Sequence, residues 1–215
     1  MTDSAAARRN MVDGQVRTAD VTDLRIISAM LEVPRERFVP PASAGLAYLD
    51  LGLPVGEAGA PPRCLLKPML LAKLIQAADV APTDRVLVVG CATGYSAAVL
   101  ARIAGPVTAL EEDEKLVQAA QTALAGLPNT AVVKGPLVDG WSRGAPYDVI
   151  LIDGAVEQVP EALRRQLEDG GRLVCVLGAS PGASAMLYRR SGDDFAGRAI
   201  FDASAVLLPG FAKVP

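Results

Sequence analysis

Arg85-Val86-Leu87-Val88-Val89-Gly90-Cys91-Ala92-Thr93-Gly94-Tyr95 decides how the rest of this chain is read. Val86 to Val89 is a short apolar run with no polar alternation. That pattern predicts a strand buried on both faces, as in a parallel sheet. A turn of small residues follows, bracketed by Gly90 and Gly94, and Ser96-Ala97-Ala98-Val99-Leu100-Ala101-Arg102-Ile103-Ala104 supplies a helix. Such a turn brings backbone close to a ligand beyond the carboxyl end of the strand. Val107-Thr108-Ala109-Leu110-Glu111 then reads as a second strand ending in an acid. A carboxylate there is placed to accept hydrogen bonds from ribose hydroxyls.

Two cofactor classes use this layout. Dinucleotide enzymes need a glycine-rich turn so that a helix N-terminus can meet a pyrophosphate. Methyltransferases using S-adenosylmethionine hold no phosphate, and their turn is looser. Here the spacing is Gly90-x-x-x-Gly94 with Ala92 at the middle position, which weighs against the dinucleotide class. A plain strand–turn–helix that binds nothing is the third possibility, since glycine-rich turns are weak evidence without context.

Working outward, Asp113 to Ala125 predicts a helix ended by Gly126 and Pro128. Thr130 to Val133, Tyr147 to Asp153 and Arg172 to Leu177 predict strands three to five, with a helix over Val159 to Gln166. Ala185 to Arg190 and Ala203 to Leu208 supply a closing hairpin. Strands alternating with helices mean a doubly wound parallel sheet, and the hairpin gives it an antiparallel edge. Before the first strand, Pro68 opens a helix over Met69 to Ala78. Ala47 to Arg63 is rich in Gly and Pro and reads as a long loop of functional type. Met11 to Val39 reads as helical, with an apolar stripe of Leu24, Ile27, Met30 and Leu31, a cap at Asp20 or Thr22, and an end at Pro34.

The chain has 215 residues, one domain or one domain with an extension. With 51% hydrophobic residues it can bury a large core, and with 4% aromatics that core is built from Ala, Val and Leu. The net charge of −3 with scattered basic residues argues against a nucleic-acid partner. No apolar run is long enough for a bilayer span, and Met1 to Arg9 lacks the apolar core of a signal peptide. Cys64, Cys91 and Cys175 are odd in number, far apart and without metal spacing, so a reducing cytoplasm is the expected compartment. Small buried residues are the simplest role for Cys64 and Cys91, although a Cys64 thiol near Lys67 has the setting of a reactive one. There is no histidine. That excludes an imidazole base, a Ser–His or Cys–His nucleophile pair and a histidine metal ligand. Methyl transfer from a sulfonium to a carboxylate suits this restriction, because a carboxylate with a pKa of about 4 needs no base.

Over nearly its whole length the sequence resembles the protein-L-isoaspartate O-methyltransferases. The leading region carries the most specific match: Met11-Val12-Asp13-Gly14-Gln15-Val16, then Ala29-Met30-Leu31-Glu32-Val33-Pro34-Arg35-Glu36-Arg37-Phe38-Val39-Pro40. Tyr48-Leu49-Asp50 and Leu53-Pro54-Val55-Gly56 follow, as do Gly135 to Trp141 and Gln166-Leu167-Glu168-Asp169-Gly170-Gly171. The resemblance implies a Rossmann-like S-adenosylmethionine-dependent methyltransferase fold, α/β, with a mostly parallel seven-stranded sheet. In that arrangement residues 1–67 form an N-terminal helical extension and substrate-side loop, and 68–215 the methyltransferase domain. It implies S-adenosylmethionine as cofactor and isoaspartyl-containing proteins or peptides as partners, whose free carboxylate is esterified. The ester then collapses to a succinimide, which reopens partly to aspartate. Neither a metal nor a covalent catalytic residue is implied. Carried over by position, Gly90, Cys91, Ala92, Thr93, Gly94 and Tyr95 form the methyl-donor turn. Glu111 is the ribose acid with Glu112 beside it, and Gly135, Pro136 and Leu137 flank the adenine. Asp153 closes the fourth strand, and Pro54, Cys64, Leu66 and Lys67 lie on the substrate side.

Three departures stand out. The family's Thr-Ile-Ser-Gln-Pro segment carries a serine whose hydroxyl contacts the substrate carboxylate, and here it is Cys64-Leu65-Leu66-Lys67-Pro68. Leu66 cannot hydrogen-bond, and losing a donor to a charged group forfeits about 1.5–3 kcal/mol. Lys67 offers a substitute attraction, which favours binding over rate. The family's Gly-Asp-Gly is here Gly135-Pro136-Leu137, without the aspartate that faces the adenine. Asp153 stands where the family has a small or hydroxyl residue: it either points into the site or serves as a helix cap or solvated loop acid. Alongside isoaspartyl methylation, two alternatives follow: a methyltransferase with a changed carboxylate substrate, and a non-catalytic binding protein on the same fold. A nicotinamide oxidoreductase ranks below all of these, for want of the full glycine turn and a proton donor.

Overall fold

The structure is a computed structural model that describes residues 4–57, 59–178 and 182–213. The leading region is helical but broken. Helix α1 (Ser4–Met11) runs into a π-helical turn at Val12–Val16 and a 3₁₀ turn at Arg17–Ala19, then stops at Asp20 with φ 64°. Helix α2 (Leu24–Glu32) starts anew because the Asp23 carboxylate accepts from Arg25 N. The expected cap at Asp20 or Thr22 therefore lies at Asp23. The expected stripe also shifts: Leu24 is 71% exposed, and Ile26, Ile27, Ala29 and Met30 face inward. A second 3₁₀ turn, Arg35–Phe38, follows Pro34.

The loop after it carries a short antiparallel ladder, β1 (Leu53–Pro54) with β2 (Cys64–Leu65). Then come α3 (Pro68–Ala78), β3 (Val86–Val89), α4 (Tyr95–Leu100), β4 (Val107–Glu111), α5 (Glu114–Leu124) and β5 (Thr130–Lys134). The chain ends with β6 (Tyr147–Val156), α6 (Glu161–Arg165), β7 (Leu167–Leu177), β8 (Ser184–Ser191) and β9 (Asp194–Asp202). The last strand of the hairpin is thus Asp194–Asp202 and not Ala203–Leu208. The latter is extended chain that touches the sheet through one parallel bridge, Ala155 to Leu207.

The seven-stranded sheet has the order β5-β4-β3-β6-β7-β8-β9. The five strands β3 to β7 are parallel, and β8 and β9 form the antiparallel edge. Alternation along β3 splits the core in two, because successive side chains point to opposite faces. Val86 and Val88 join α3, α4 and the leading region on one face, while Leu87 and Val89 join Ile150, Ile152 and Leu173 on the other. Met11, Ile27 and Met30 share the first of these cores, so the leading region is packed onto the sheet itself. Among the described residues no helix is long and apolar enough to cross a membrane.

Strand order reverses at β3, and ligands of such sheets bind beyond the carboxyl ends at that point. The register pairs Val89 with Leu110 on one side and Ile152 on the other. The next residues along, Glu111, Gly90 and Asp153, therefore end up side by side.

Candidate cofactor and substrate site

The turn after β3 is built on left-handed backbone. Gly90 has φ 75° and Gly94 φ 98°, and between them Ala92 takes φ 51° despite its Cβ. The amides of Gly90 and Cys91 both donate to Leu110 O, at 2.9 and 3.0 Å. Ala92 N donates to Glu111 Oε2 at 2.8 Å. Thr93 Oγ1 donates to Phe38 O at 2.6 Å, tying the leading region to the turn. Tyr95 is buried away from the turn, edge-on to Phe38 and beneath the Arg35 guanidinium, 4.6 Å from the ring centroid. Arg35 is itself fully buried, donating to Ala47 O and Leu66 O.

Glu111 has no exposed surface and every sign of a fixed carboxylate. Besides Ala92 N, it accepts from the amides of Glu112 at 2.9 Å and Asp113 at 3.2 Å. Both its oxygens also accept from Arg63, Nη1 to Oε1 and Nη2 to Oε2, each at 2.6 Å. Arg63 comes from the end of the Gly- and Pro-rich loop, and its side chain is 5% exposed. A Cβ added at Gly90 would lie 3.2 Å from Arg63 Nη2 and 3.0 Å from Leu208 Cδ1. The space over the turn thus holds a guanidinium and a leucine of this chain. The third loop adjoins it: Gly135 N donates to Glu111 O at 3.1 Å, and Leu137, fully buried, donates its amide to Glu112 Oε2 at 3.4 Å. Pro136 between them is exposed.

Asp153 is 4% exposed, which excludes a solvated loop acid, and it caps no helix. The pairing of β6 with β7 slips between Leu151 and Ala155, so Asp153 sits at an irregularity that can re-aim a side chain. Oδ2 accepts from Ser96 Oγ, and Oδ1 has no partner. Burial is the main reason its pKa is pushed up to about 6; the Ser96 hydroxyl and the Arg63 and Arg35 charges pull the other way. Cys91, almost wholly buried, is raised well above an ordinary thiol and stays protonated.

On the substrate side, a cavity of about 310 Å³ is bounded by Cys64, Leu66, Lys67, Asp153 and Gly154, and by Ser204, Ala205, Val206 and Leu208. Leu66 is 5% exposed and Cys64 half-buried. Pro54 is exposed and pairs across the ladder with Cys64. All three cysteines are free, and among the described residues no cluster suits a metal.

Gly90, Cys91, Ala92, Glu111 and Asp153 therefore converge; Glu112, Gly135 and Leu137 adjoin them; and Cys64, Leu66 and Lys67 share a cavity with Asp153. Thr93 and Tyr95 brace the turn from behind. In the sequence, Arg63, Leu208, Ser96 and Arg35 had other places and no part in the site. Arg63 lies 48 residues from its partner, and nothing local marks a surface arginine from a buried one.

The site suits an adenosyl ligand in its positive-φ turn, its strand-end acid and the buried Leu137 beside it, provided Arg63 and Leu208 give way. Residues 6–204 match the family described as protein-L-isoaspartate(D-aspartate) O-methyltransferase (PCMT). The chain is 41% identical over 193 residues to a protein-L-isoaspartate O-methyltransferase of Methylorubrum extorquens, covering 89% of this chain and 83% of the relative. It is 39% identical over 213 residues to protein-L-isoaspartate O-methyltransferase 1 of Rhodopseudomonas palustris, covering 97% and 85%. A solved protein-L-isoaspartate O-methyltransferase superposes with a TM-score of 0.83 at 27% identity; the match covers 94% of this chain and 66% of that one, just under two thirds of its length. A Plasmodium falciparum structure described as a beta-aspartate methyltransferase (PCMT), in complex with S-adenosyl-L-homocysteine, shares the fold with a TM-score of 0.73 at 17% identity over 94% of this chain and 97% of that one. With residues 6–204 matched to that family and relatives near 40% identical over most of the chain, the chain belongs to the protein-L-isoaspartate(D-aspartate) O-methyltransferase family.

Proposed function

We propose that this chain transfers a methyl group from S-adenosylmethionine to the free carboxylate of isoaspartyl residues in proteins or peptides. The observation that carries this is the buried Glu111 carboxylate at the end of β4, beside the left-handed Gly90 turn. When bound, the cofactor supplies an electrophilic methyl group on a sulfonium. The acceptor carboxylate is already ionised at neutral pH, so the protein has positioning and water exclusion to provide. Glu111 exchanges the Arg63 guanidinium for ribose hydroxyls. Gly90, Cys91 and Ala92 shape the turn against the ligand, and Glu112, Gly135, Pro136 and Leu137 border the adenine. Cys64, Leu66 and Lys67 border the acceptor, with Lys67 supplying the attraction that Leu66 cannot.

Calorimetry with S-adenosylhomocysteine on the wild type and on Glu111→Ala tests the cofactor half. Binding that the substitution abolishes is the expected result. Transfer of labelled methyl to an isoaspartyl peptide, absent with the aspartyl isomer, tests the substrate half. Binding without transfer points to a changed carboxylate substrate. The Arg63–Glu111 pair also favours a second reading, a binding protein that has closed its cofactor site; a folded wild type that binds no S-adenosylhomocysteine would establish it and overturn the first.

A further inference from the structure

We infer that Arg35 is a positioning residue for methyl transfer: it fixes Leu66 and Lys67, on the acceptor side, relative to the methyl-donor turn. The inference rests on the function proposed above for what those two sides hold. Arg35 has no exposed surface, so it acts through what it grips. Its Nε donates to Ala47 O at 2.9 Å and its Nη2 to Leu66 O at 2.7 Å. The guanidinium carbon lies 4.6 Å from the centre of the Tyr95 ring, and Tyr95 opens α4 directly after Gly94. One planar group thus spans the loop before β1, the residue after β2 and the helix behind the turn. Asp50, in the same loop as Ala47, accepts from Met69 N through Oδ1 at 3.3 Å. Lys67 therefore follows one anchored residue and stands just before another, Leu66 held by Arg35 and Met69 by Asp50. Leu66 and Lys67 both line the acceptor cavity.

Stability alone is a poor account of this arrangement. None of the ion pairs among the described residues includes Arg35, and its Nη1 has no hydrogen-bond partner. A buried guanidinium without a carboxylate is costly, and an apolar side chain of similar volume fills such a space more cheaply. An apolar side chain cannot hold two carbonyls and a ring at set angles, as a rigid fork does. That geometry matters where a donor and an acceptor must meet, since a misplacement of about 1 Å can cost about 100-fold in rate.

The test uses full-length wild type, Arg35→Lys, which keeps the charge and loses the fork, and Arg35→Met, which loses both. Thermal melts confirm folding, and kinetics with an isoaspartyl peptide are read at a temperature where all three are folded. Both variants are expected to lower kcat about 10- to 100-fold and to leave S-adenosylhomocysteine binding unchanged in calorimetry. A second readout needs no activity. Cys64 begins the gripped segment and is half-buried, while Cys91 and Cys175 are buried. Cys64 should react faster with dithiobis(nitrobenzoate) in the variants, with the other two thiols as slow as in wild type; Cys64→Ser identifies its signal. Three thiols accelerating together, with donor binding weakened alongside kcat, would mean general loosening and overturn the inference. So would kcat and Cys64 rates equal to wild type. Should neither Arg35 variant fold, Asp50→Ala frees Met69 instead, and an unchanged kcat there overturns the inference. A wild type that transfers no methyl overturns the function proposed above, and the Cys64 rates still decide this one.

Discussion

The Arg63 guanidinium forks onto the Glu111 carboxylate, with both contacts at 2.6 Å and both side chains buried. Breaking a buried pair by removing one partner costs roughly 3–5 kcal/mol. Glu111 keeps three backbone donors without Arg63. Arg63→Met is therefore expected to lower stability by about 3 kcal/mol, the low end of that range. On the function proposed above, it also removes the group that a ribose would have to displace. Calorimetry should show tighter S-adenosylhomocysteine binding than wild type, and the ligand should raise the melting temperature of the variant more. Equal or weaker binding would mean that Arg63 belongs to the bound site.

Asp153 should set a pH dependence of stability. Its folded pKa of about 6 lies above the usual carboxylate value of 3.8. The folded state thus holds an extra proton between those values, so this group's stabilising contribution is full below the lower one and lost as pH rises through about 6. A shift of about two units corresponds to on the order of 3 kcal/mol. Asp153→Asn keeps an acceptor for Ser96 and removes the charge. Urea unfolding should show the variant gaining on wild type by up to that amount near about pH 8 and by little near about pH 4. A constant difference across the range would refute the assignment.

Leu66 tests the substrate side. Leu66→Ser restores a hydroxyl to the cavity wall at a cost of about 2–4 kcal/mol in lost packing. A donor to the acceptor carboxylate is worth about 1.5–3 kcal/mol. Isoaspartyl-peptide methylation is expected to rise by about 10- to 150-fold, the size of that contribution, read as kcat/KM at a temperature where the variant is folded. An unchanged or lower value would place the acceptor elsewhere.

Ala92 holds φ 51° at the heart of the turn. Left-handed backbone costs a residue with a Cβ about 1–2 kcal/mol, and its buried methyl returns about 0.8. Ala92→Gly should leave stability within about 1 kcal/mol of wild type. Gly90→Ala, facing Leu208 and Arg63 at 3.0 and 3.2 Å, should destabilise clearly in the same urea assay.

What was legible followed from burial. Val86 to Val89 and Val149 to Ile152 are unbroken apolar runs because both faces are covered, and the positive-φ glycines of the turn have a local signature. The edge was harder. β9 is exposed at Asp194, Gly197 and Arg198 and shows no apolar rhythm, so the apolar Ala203 to Leu208 took its place. The leading helix read as continuous because its breaks depend on packing and on one capping carboxylate, Asp23. Long-range pairs such as Arg63 with Glu111 leave no periodicity at all.

The Ala203–Leu208 stretch has one more property. Two backbone bonds join it to β6, Ala155 N to Val206 O at 2.8 Å and Leu208 N to Ala155 O at 2.9 Å. Beyond it, Phe211 is anchored in the core just past Gly210 with φ 79°. Two such bonds and the burial of one leucine together amount to roughly 3–6 kcal/mol, well under global unfolding of a domain this size. The amide of Leu208 should then exchange with deuterium far sooner than that of Leu151 in the middle of the same strand's sheet. The segment breathes while the sheet beneath it stays shut, and the door to the turn opens without the house coming down.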